Sequence, residues 1–259
     1  MRLLAFVALA AIASTSPASV ISVNFTNADG PRQVLPGETT GVVPDSAWLN
    51  VNLSTFDQTP GNSANTGPFV GAVPGVGGTA VDLSFTGAAT GGFITTNTAR
   101  DAANPDGTDG FLALYESGLR DSSTTSGDTF FTLSGLSAFL SDTNGISYDL
   151  YVYYKSAVTA AADAVDIGFN GGAVVTYDPD ATGISASDPF VEAGNAESNF
   201  IAFTGLTDDS ATFTLSRGAT GGRDAILAGF QVVSIVPEPG SAAATCLLLL
   251  GVARRRRAA

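Results

Sequence analysis

The sequence predicts an all-β fold built as an antiparallel β-sandwich, and three observations support this prediction. From Val20 onward the chain consists of short runs in which apolar and polar residues alternate, which is the period of half-buried strands. These runs are separated by turn-forming residues, and the chain contains 30 Gly and 12 Pro. Between its two ends no stretch combines a sustained helical period with capping residues, so we expect few helices.

The predicted elements follow from this alternation and from the turn residues between the runs. In chain order, strands are predicted at Ile21 to Phe25, Val51 to Phe56, Val81 to Phe85, Phe93 to Thr95, Phe111 to Tyr115, Thr129 to Leu133, Tyr148 to Tyr154, Val165 to Phe169, Ala173 to Tyr177, Asn199 to Phe203, Ala211 to Leu215 and Ile226 to Val233. Asn62 to Thr79 is rich in Gly and Pro and predicts an irregular loop, whereas Leu136 to Leu140 predicts a brief helical turn. Many short strands joined mainly by turns favour the jelly-roll form of the sandwich.

Two elements have the clearest signals. Tyr148 to Tyr154 follows the turn pair Asn144-Gly145, and its aromatic and β-branched residues predict a central strand. Asn170-Gly171-Gly172 lies between two alternating runs and supplies residues that adopt positive φ at little cost. This segment therefore predicts a β-hairpin.

The N-terminus has the parts of a secretory signal peptide. Met1-Arg2 is followed by the apolar stretch Leu3 to Ala13 and by the small residues of Ser16-Pro17-Ala18. We expect cleavage after Ala18 by the secretion machinery, and an uncleaved anchor is the alternative. The predicted organisation is a signal peptide at 1–18, a β-sandwich ectodomain at 19–235 and a C-terminal segment at 236–259.

The C-terminal segment predicts a second apolar helix, so the sandwich is expected to be flanked by one at each end. Val236-Pro237-Glu238-Pro239 precedes the apolar run Ala242 to Ala253, which ends in the cluster Arg254 to Arg257. A basic cluster stays on the cytoplasmic side of a membrane, so everything before the run should lie outside. As a helix the run is only about 18 Å long, against roughly 30 Å of hydrocarbon. That length suits a segment processed in the membrane better than a permanent anchor.

This order of parts resembles the PEP-CTERM sorting signal of bacterial exported proteins. Pro237, Glu238 and Pro239 match its tripeptide, and Arg254, Arg255, Arg256 and Arg257 match its basic tail. The resemblance implies recognition by a membrane cysteine protease, an exosortase, which removes the tail and passes the protein to the cell surface or an extracellular polysaccharide matrix. An ordinary tail anchor is the alternative.

The central part resembles the jelly-roll domains, galactose-binding-like or lectin-like, that often precede such tails. The strand patterns that carry this resemblance are Ile21 to Phe25, Tyr148 to Tyr154 and Ala228 to Val232. They are generic patterns, and they bear on the fold more than on sugar binding.

Composition excludes several classes of function. Without the basic residues of the two ends, six Lys and Arg stand against 24 Asp and Glu, a balance of −18, which would repel a phosphate backbone. We therefore expect no nucleic-acid partner. Histidine is absent and the single Cys246 lies in the apolar run, so the folded part has no disulfide, no His-based catalytic triad and no ordinary zinc site.

Aromatic residues beside polar ones are the candidate ligand-binding residues. On the Tyr148 strand Asp149, Tyr151 and Tyr153 share one face, where tyrosine rings could stack on a sugar and the carboxylate could accept its hydroxyls. The alternative is that these tyrosines pack under a loop. Trp48, the only tryptophan, is predicted in a proline-rich loop, where it either contacts a sugar or plugs an open end of the core.

A calcium site is the one metal hypothesis. Asn104, Asp106 and Asp109 place an amide and two carboxylates on a loop bent by glycines, and calcium prefers such oxygens. The spacing departs from the known calcium-loop pattern, and a turn built from Asp-Gly pairs is the alternative.

These observations predict an exported, non-enzymatic protein of the cell surface or extracellular matrix that binds carbohydrate, with polysaccharide as a partner. One alternative is a secreted polysaccharide hydrolase that uses a pair of carboxylates, since Asp and Glu are plentiful. The other is a purely structural surface protein without a small ligand.

Overall fold

The computed structural model describes residues 19–26, 33–35, 37–52, 69–73, 83–88, 93–95, 114–115, 117–121, 129–156, 165–177, 190–194, 198–217 and 225–237. These residues form the strands β1 (Val20–Thr26), β2 (Trp48–Asn52), β3 (Phe69–Val73), β4 (Leu83–Ala88), β5 (Phe93–Thr95), β6 (Ser117–Asp121), β7 (Thr129–Ser134), β8 (Ser147–Ser156), β9 (Val165–Phe169), β10 (Val175–Tyr177), β11 (Phe200–Leu206), β12 (Ser210–Arg217) and β13 (Ala225–Ile235), and the short helix α1 (Leu136–Thr143).

The strands form two sheets. The first has the order β11-β8-β13-β1-β2, and β6 extends it beside the first residues of β13, with β5 paired to β6. The second has the order β10-β9-β12-β7-β4-β3. Among these strands β1 and β2 pair in parallel, and every other described pair is antiparallel.

The two sheets pack face to face through one core. Phe131 of the second sheet lies 5.6 Å from Phe25 and 5.0 Å from Phe230 of the first, between ring centroids. The same cluster contains Leu150 and Val152 of β8 and Phe213 of β12, each at most 1% exposed. The sheets pack in this way because each strand alternates apolar and polar residues and buries its apolar face. The all-β part of the prediction is confirmed.

Strand β13 lies inside the first sheet with neighbours on both sides. It pairs with β8 along its whole length, and Ala225 through Ser234 are all buried. Its register shifts between Leu227 and Gly229, at a β-bulge. A Cβ at Gly229 would collide with the carbonyl oxygen of Val23 on β1, so this position requires glycine.

Several predicted elements are confirmed. Ile21, Val23 and Phe25 share the core face of β1, as their alternation predicted. β8 is an interior strand, and Asn170 and Gly171 adopt φ of 47° and 71° in the hairpin between β9 and β10. The predicted helical turn is the start of α1, which ends at Asn144 in the left-handed conformation.

Other predictions are wrong at particular residues. Leu114 and Tyr115 are helical rather than extended, and β3 lies within the stretch predicted as an irregular loop. Composition misled here because β3 is a short strand that pairs with β4 at the sheet edge, where glycine is tolerated. β2 begins at Trp48, inside the predicted proline-rich loop. The predicted terminal helices at 1–18 and 242–253 lie outside the described residues.

The described chain enters and leaves the sandwich at the same end. The Ser234 N–H donates to the Ser19 carbonyl oxygen at 2.9 Å, and the Ile146 N–H donates to the Ile235 carbonyl oxygen at 2.9 Å. The β11–β12 connection crosses between the sheets at this end, where the Tyr148 hydroxyl donates to the Asp208 carbonyl oxygen at 3.1 Å. We call this end, formed by residues 19–20, 142–147, 207–209 and 235–237, the terminal pole.

Candidate functional site

The predicted ligand-binding residues lie on or beside the face of the first sheet that points away from the second sheet, which we call the outer face. Strand β8 alternates as predicted: Tyr148, Leu150, Val152 and Tyr154 belong to the core between the sheets. Tyr151 and Tyr153 instead belong to a second cluster on the outer face, with Trp48, Phe200 and Phe190. A covering segment, residues 33–35 and 37–47, packs on this face: Val34 and Val42 belong to the outer cluster, and Val42 and Val43 form hydrogen bonds to Tyr153 and Gln231.

Tyr153 lies at the centre of the outer face and has no exposed surface. Its ring is 5.9 Å from Trp48 and 5.5 Å from Phe190, between centroids. The Val42 N–H donates to its hydroxyl oxygen at 2.8 Å, and the hydroxyl donates to Oε1 of Gln231. Burial raises the pKa of Tyr153 well above its ordinary value, so the hydroxyl stays protonated. This ring presents no face to a ligand.

Trp48 is also buried, at 8% exposure. It lies on β2, and its Nε1–H donates to the carbonyl oxygens of Asp45 at 3.0 Å and Thr40 at 3.3 Å. A sugar-stacking tryptophan needs an exposed ring face, whereas this one closes the outer cluster under the segment that covers it. Trp48 is thus buried, but it lies in the outer cluster and not at an open end of the core between the sheets.

A polar network that the sequence did not reveal connects the covering segment to the sheet. Gln231 of β13 is fully buried; its Nε2 donates to the Val43 carbonyl oxygen at 2.8 Å and to Ser22 Oγ at 2.9 Å. The Ser22 hydroxyl in turn donates to Asp45 Oδ2 at 2.5 Å. The one available signal was a glutamine inside the long apolar run of β13, because a buried amide requires partners.

Asp149, Tyr151 and Glu192 form a partly exposed patch at the β11 edge of the outer face, which we call the edge patch. Asp149 and Tyr151 are half-buried and Glu192 is exposed. The Tyr151 ring lies 6.3 Å from Phe200, and the Gly205 N–H donates to Asp149 Oδ1 at 2.8 Å. Burial, followed by the charges of Asp149 and Glu192, raises the pKa of Tyr151 above its ordinary value.

The edge patch has the chemistry of a shallow sugar contact. A tyrosine ring offers an apolar surface, and the adjacent carboxylates accept hydrogen bonds from hydroxyl groups. Of the four residues predicted for a ligand, the structure thus brings Asp149 and Tyr151 to the surface. No local pattern in the sequence links Glu192 to this strand, and its bridge to Phe200 of β11 brings it to this edge.

The other predicted site residues lie mostly outside the described part of the chain. This holds for the calcium candidates Asn104, Asp106 and Asp109, and within the described residues no group of three or more Asp, Glu, Cys or His is arranged to hold a metal ion. Of the sorting motif only Pro237 is described; it is exposed and lies two residues after the end of β13. Glu238, Pro239 and the four arginines are outside.

No helix among the residues that the structure covers is long and apolar enough to cross a membrane. No protein-family model matches the sequence, and no curated protein matches it. Among solved structures, this chain is similar to the CBM22-1 xylan-binding domain of Paenibacillus barcinonensis Xyn10C. The alignment covers 58% of this chain and 86% of that domain, with 14% sequence identity and a TM-score of 0.28.

Proposed function

We propose that this chain is an exported protein of the cell surface or extracellular matrix. In this proposal a signal peptide at 1–18 delivers a sandwich of the jelly-roll form, and a C-terminal segment of the PEP-CTERM type sorts it. The observation that carries the proposal is the order of Pro237-Glu238-Pro239, the apolar run Ala242 to Ala253 and the cluster Arg254 to Arg257. The end of β13 at Ile235 and the exposure of Pro237 support it, because a protease needs its recognition sequence outside the packed fold.

The partners that follow are the secretion machinery and an exosortase-type membrane protease. The arginines would keep the extreme C-terminus cytoplasmic and leave the sandwich outside. The tripeptide would then lie at the outer side of the membrane, between the folded domain and the apolar run. The acidic balance of the exported part suits a soluble surface protein.

The test is the intact mass and the location of the protein in a bacterium that has such a protease. An epitope inserted between Gly171 and Gly172 leaves the strands intact, because both glycines lie in an exposed hairpin turn. We expect the tagged protein to lose residues of both ends and to reach the surface or the medium.

Two variants serve as controls for this test. Replacing Pro237, Glu238 and Pro239 by alanine should leave the tail uncut and the protein in the membrane fraction. Replacing the four arginines by glutamine should lower correct membrane orientation. A wild-type protein that retains Arg254 to Arg257 in the membrane would overturn the sorting proposal and make the tail an anchor.

We further propose that the ectodomain binds extracellular carbohydrate through the edge patch and is not an enzyme. The half-buried ring of Tyr151 shares a face of β8 with Asp149 and lies 6.3 Å from Phe200, the residue that bridges to Glu192. This arrangement supports the proposal, because it combines an apolar surface with hydroxyl acceptors at one sheet edge. Trp48 and Tyr153 would act indirectly, by holding the sheet surface beneath the patch in place.

Binding to soluble polysaccharides, measured by the retardation of the protein in polysaccharide gels, tests the edge patch. Tyr151→Ala should abolish retardation, whereas Tyr177→Ala, which truncates another half-buried tyrosine on the second sheet, should leave it unchanged. If the protein releases new reducing ends from the polysaccharide, it cleaves glycosidic bonds, and this result would favour the alternative of a polysaccharide hydrolase. If no polysaccharide retards the protein, the carbohydrate-binding proposal is wrong, and a purely structural role is the alternative that remains.

A further inference from the structure

The terminal pole is the part of the described surface where the two chain ends and an exposed apolar side chain meet. Ser19 and Ile235 lie there through hydrogen bonds to Ser234 and Ile146. Ile146 is 62% exposed, more than any other large apolar side chain that the structure describes. Val236 is half-buried and Pro237 is exposed directly beside it in the chain.

Ile146 is held in this exposed position by the residues around it. The Gly145 N–H donates to the Leu140 carbonyl oxygen at 2.8 Å at the end of α1, and Asn144 has φ of 55°. A Cβ at Gly145 would lie 2.9 Å from a Leu140 methyl and 3.2 Å from Cβ of Ser234, so this turn is closely packed. The turn fixes an apolar side chain toward the outside of the pole.

We propose that the terminal pole is a lipid-contacting surface, and that Ile146 lies among the headgroups of the bilayer that holds the tail of the uncut precursor. This inference rests on the proposed function, because it requires the apolar run Ala242 to Ala253 to be in the membrane. Seven residue steps separate Ile235 from Ala242, and even a fully extended chain spans only about 25 Å over them. The end of β13 therefore stays within about 25 Å of the membrane, and Ile146, which is hydrogen-bonded to Ile235, is the exposed large apolar side chain that the structure describes at this pole.

The charge of the pole indicates which lipids it favours. Asp142, Asp208 and Asp209 are exposed around it. Residues 134–147, 206–210 and 234–237 contain no Lys or Arg. Anionic headgroups would repel these carboxylates over about a Debye length, which is ~10 Å at moderate salt. Zwitterionic headgroups are thus the chemistry that fits.

The test places an environment-sensitive fluorophore at the pole of the full chain, reconstituted into phosphatidylcholine vesicles. Cys246→Ser removes the only cysteine, and Ile146→Cys provides the labelling site on an exposed side chain. The matched control is Thr176→Cys, which is also exposed but lies near the other end of the second sheet, opposite Asp166 of β9. Circular dichroism checks that both labelled proteins are folded.

We expect the label at 146 to shift to shorter wavelength on vesicles and to be quenched by lipids with spin-labelled headgroups, while the label at 176 does neither. In phosphatidylglycerol vesicles the shift at 146 should be smaller and should recover with added salt; a larger shift there would overturn the assignment to zwitterionic lipid. If the protein binds vesicles but the labels at 146 and 176 have equal spectra, the proposal that the pole contacts lipid is wrong, whereas the proposed function is unaffected. Protein that does not float with the vesicles would overturn both.

Discussion

The inner face of the first sheet packs phenylalanine rings from both sheets, whereas its outer face packs aromatic rings together with a hydrogen-bonded polar network. Phe25, Phe131 and Phe230 meet on the inner side. Tyr153 and Gln231 meet on the outer side, under the covering segment of residues 33–35 and 37–47. One set of strands thus faces two interiors. The inner one depends on the shape and volume of its side chains, and the outer one depends also on the hydrogen bonds that join the covering segment to the sheet.

The largest loss of stability should come from a substitution on the inner face. Phe131 is 1% exposed, and its ring lies 5.0 Å from both Phe213 and Phe230. Phe131→Ala would leave a cavity between the sheets and should lower the free energy of unfolding by about 3–5 kcal/mol. Urea unfolding followed by circular dichroism measures this loss. The control Phe131→Leu keeps most of the volume and should cost less; equal losses would show that the site does not depend on packing volume.

The polar network of the outer face should give a smaller but clear loss. Gln231→Met keeps the side-chain length and removes the groups that pair with Val43, Ser22 and the Tyr153 hydroxyl. Unpaired buried groups cost about 1–3 kcal/mol, and urea unfolding should show a loss of that size.

The matched control for this network is Ser234→Ala, on the same strand. Ser234 is equally buried, but its hydroxyl has no hydrogen-bond partner in the described structure. Its replacement should change stability little. A Gln231→Met protein as stable as wild type would show that the covering segment is held by its apolar contacts alone.

Alkaline pH should probe the tyrosines of both faces. Burial, followed by the charges of Asp208 and Asp209, raises the pKa of Tyr148 from 10.0 to about 12. Burial likewise raises the pKa of Tyr153 on the outer face. The folded protein holds these protons more tightly than the unfolded chain does. This stabilisation is therefore fully present below pH 10, and for Tyr148 it is lost as the pH rises from 10.0 to about 12.

Two measurements check this dependence. Absorbance titration should detect fewer ionised tyrosines in the folded protein than in urea at the same alkaline pH. Tyr148→Phe should cost about 1 kcal/mol at neutral pH, through the lost hydrogen bond to Asp208, and should make the alkaline decline in stability shallower. An unchanged decline would mean that Tyr148 ionises as readily folded as unfolded.

The contrast between the two faces also explains what the sequence could predict. The inner face follows from local alternation: Ile21, Val23 and Phe25 are spaced for one side of a strand, and the structure buries all three. The outer face depends on contacts between distant residues. Val43 and Gln231 are 188 positions apart, and no local pattern marks the covering segment as a cover for a sheet.

Only part of the candidate site could be predicted, because it too depends both on local alternation and on contacts between distant residues. The alternation of β8 correctly grouped Tyr151 and Tyr153 on one face, but contacts with the distant residues Val42 and Phe190 bury Tyr153, whereas Tyr151 stays half-buried. Trp48 was assigned to a loop because three prolines lie nearby, whereas its parallel pairing with Ser22 of β1 makes it the first residue of a strand. Parallel pairing has no turn signal in the sequence, so it could not be anticipated.

The smallest change in stability, and a gain instead of a loss, should come from replacing Thr40 in the covering segment. Its side chain is 5% exposed, and its hydroxyl finds no hydrogen-bond partner within the described structure, although its backbone pairs with Asp45. Thr40→Val keeps the shape and replaces an unpaired polar group by a methyl group, so stability should stay equal or rise by up to about 1 kcal/mol. Urea unfolding beside Gln231→Met measures the difference. If both variants lose stability alike, the outer face depends on polar surface in general; if only Gln231→Met does, it depends on the hydrogen bonds that the network makes.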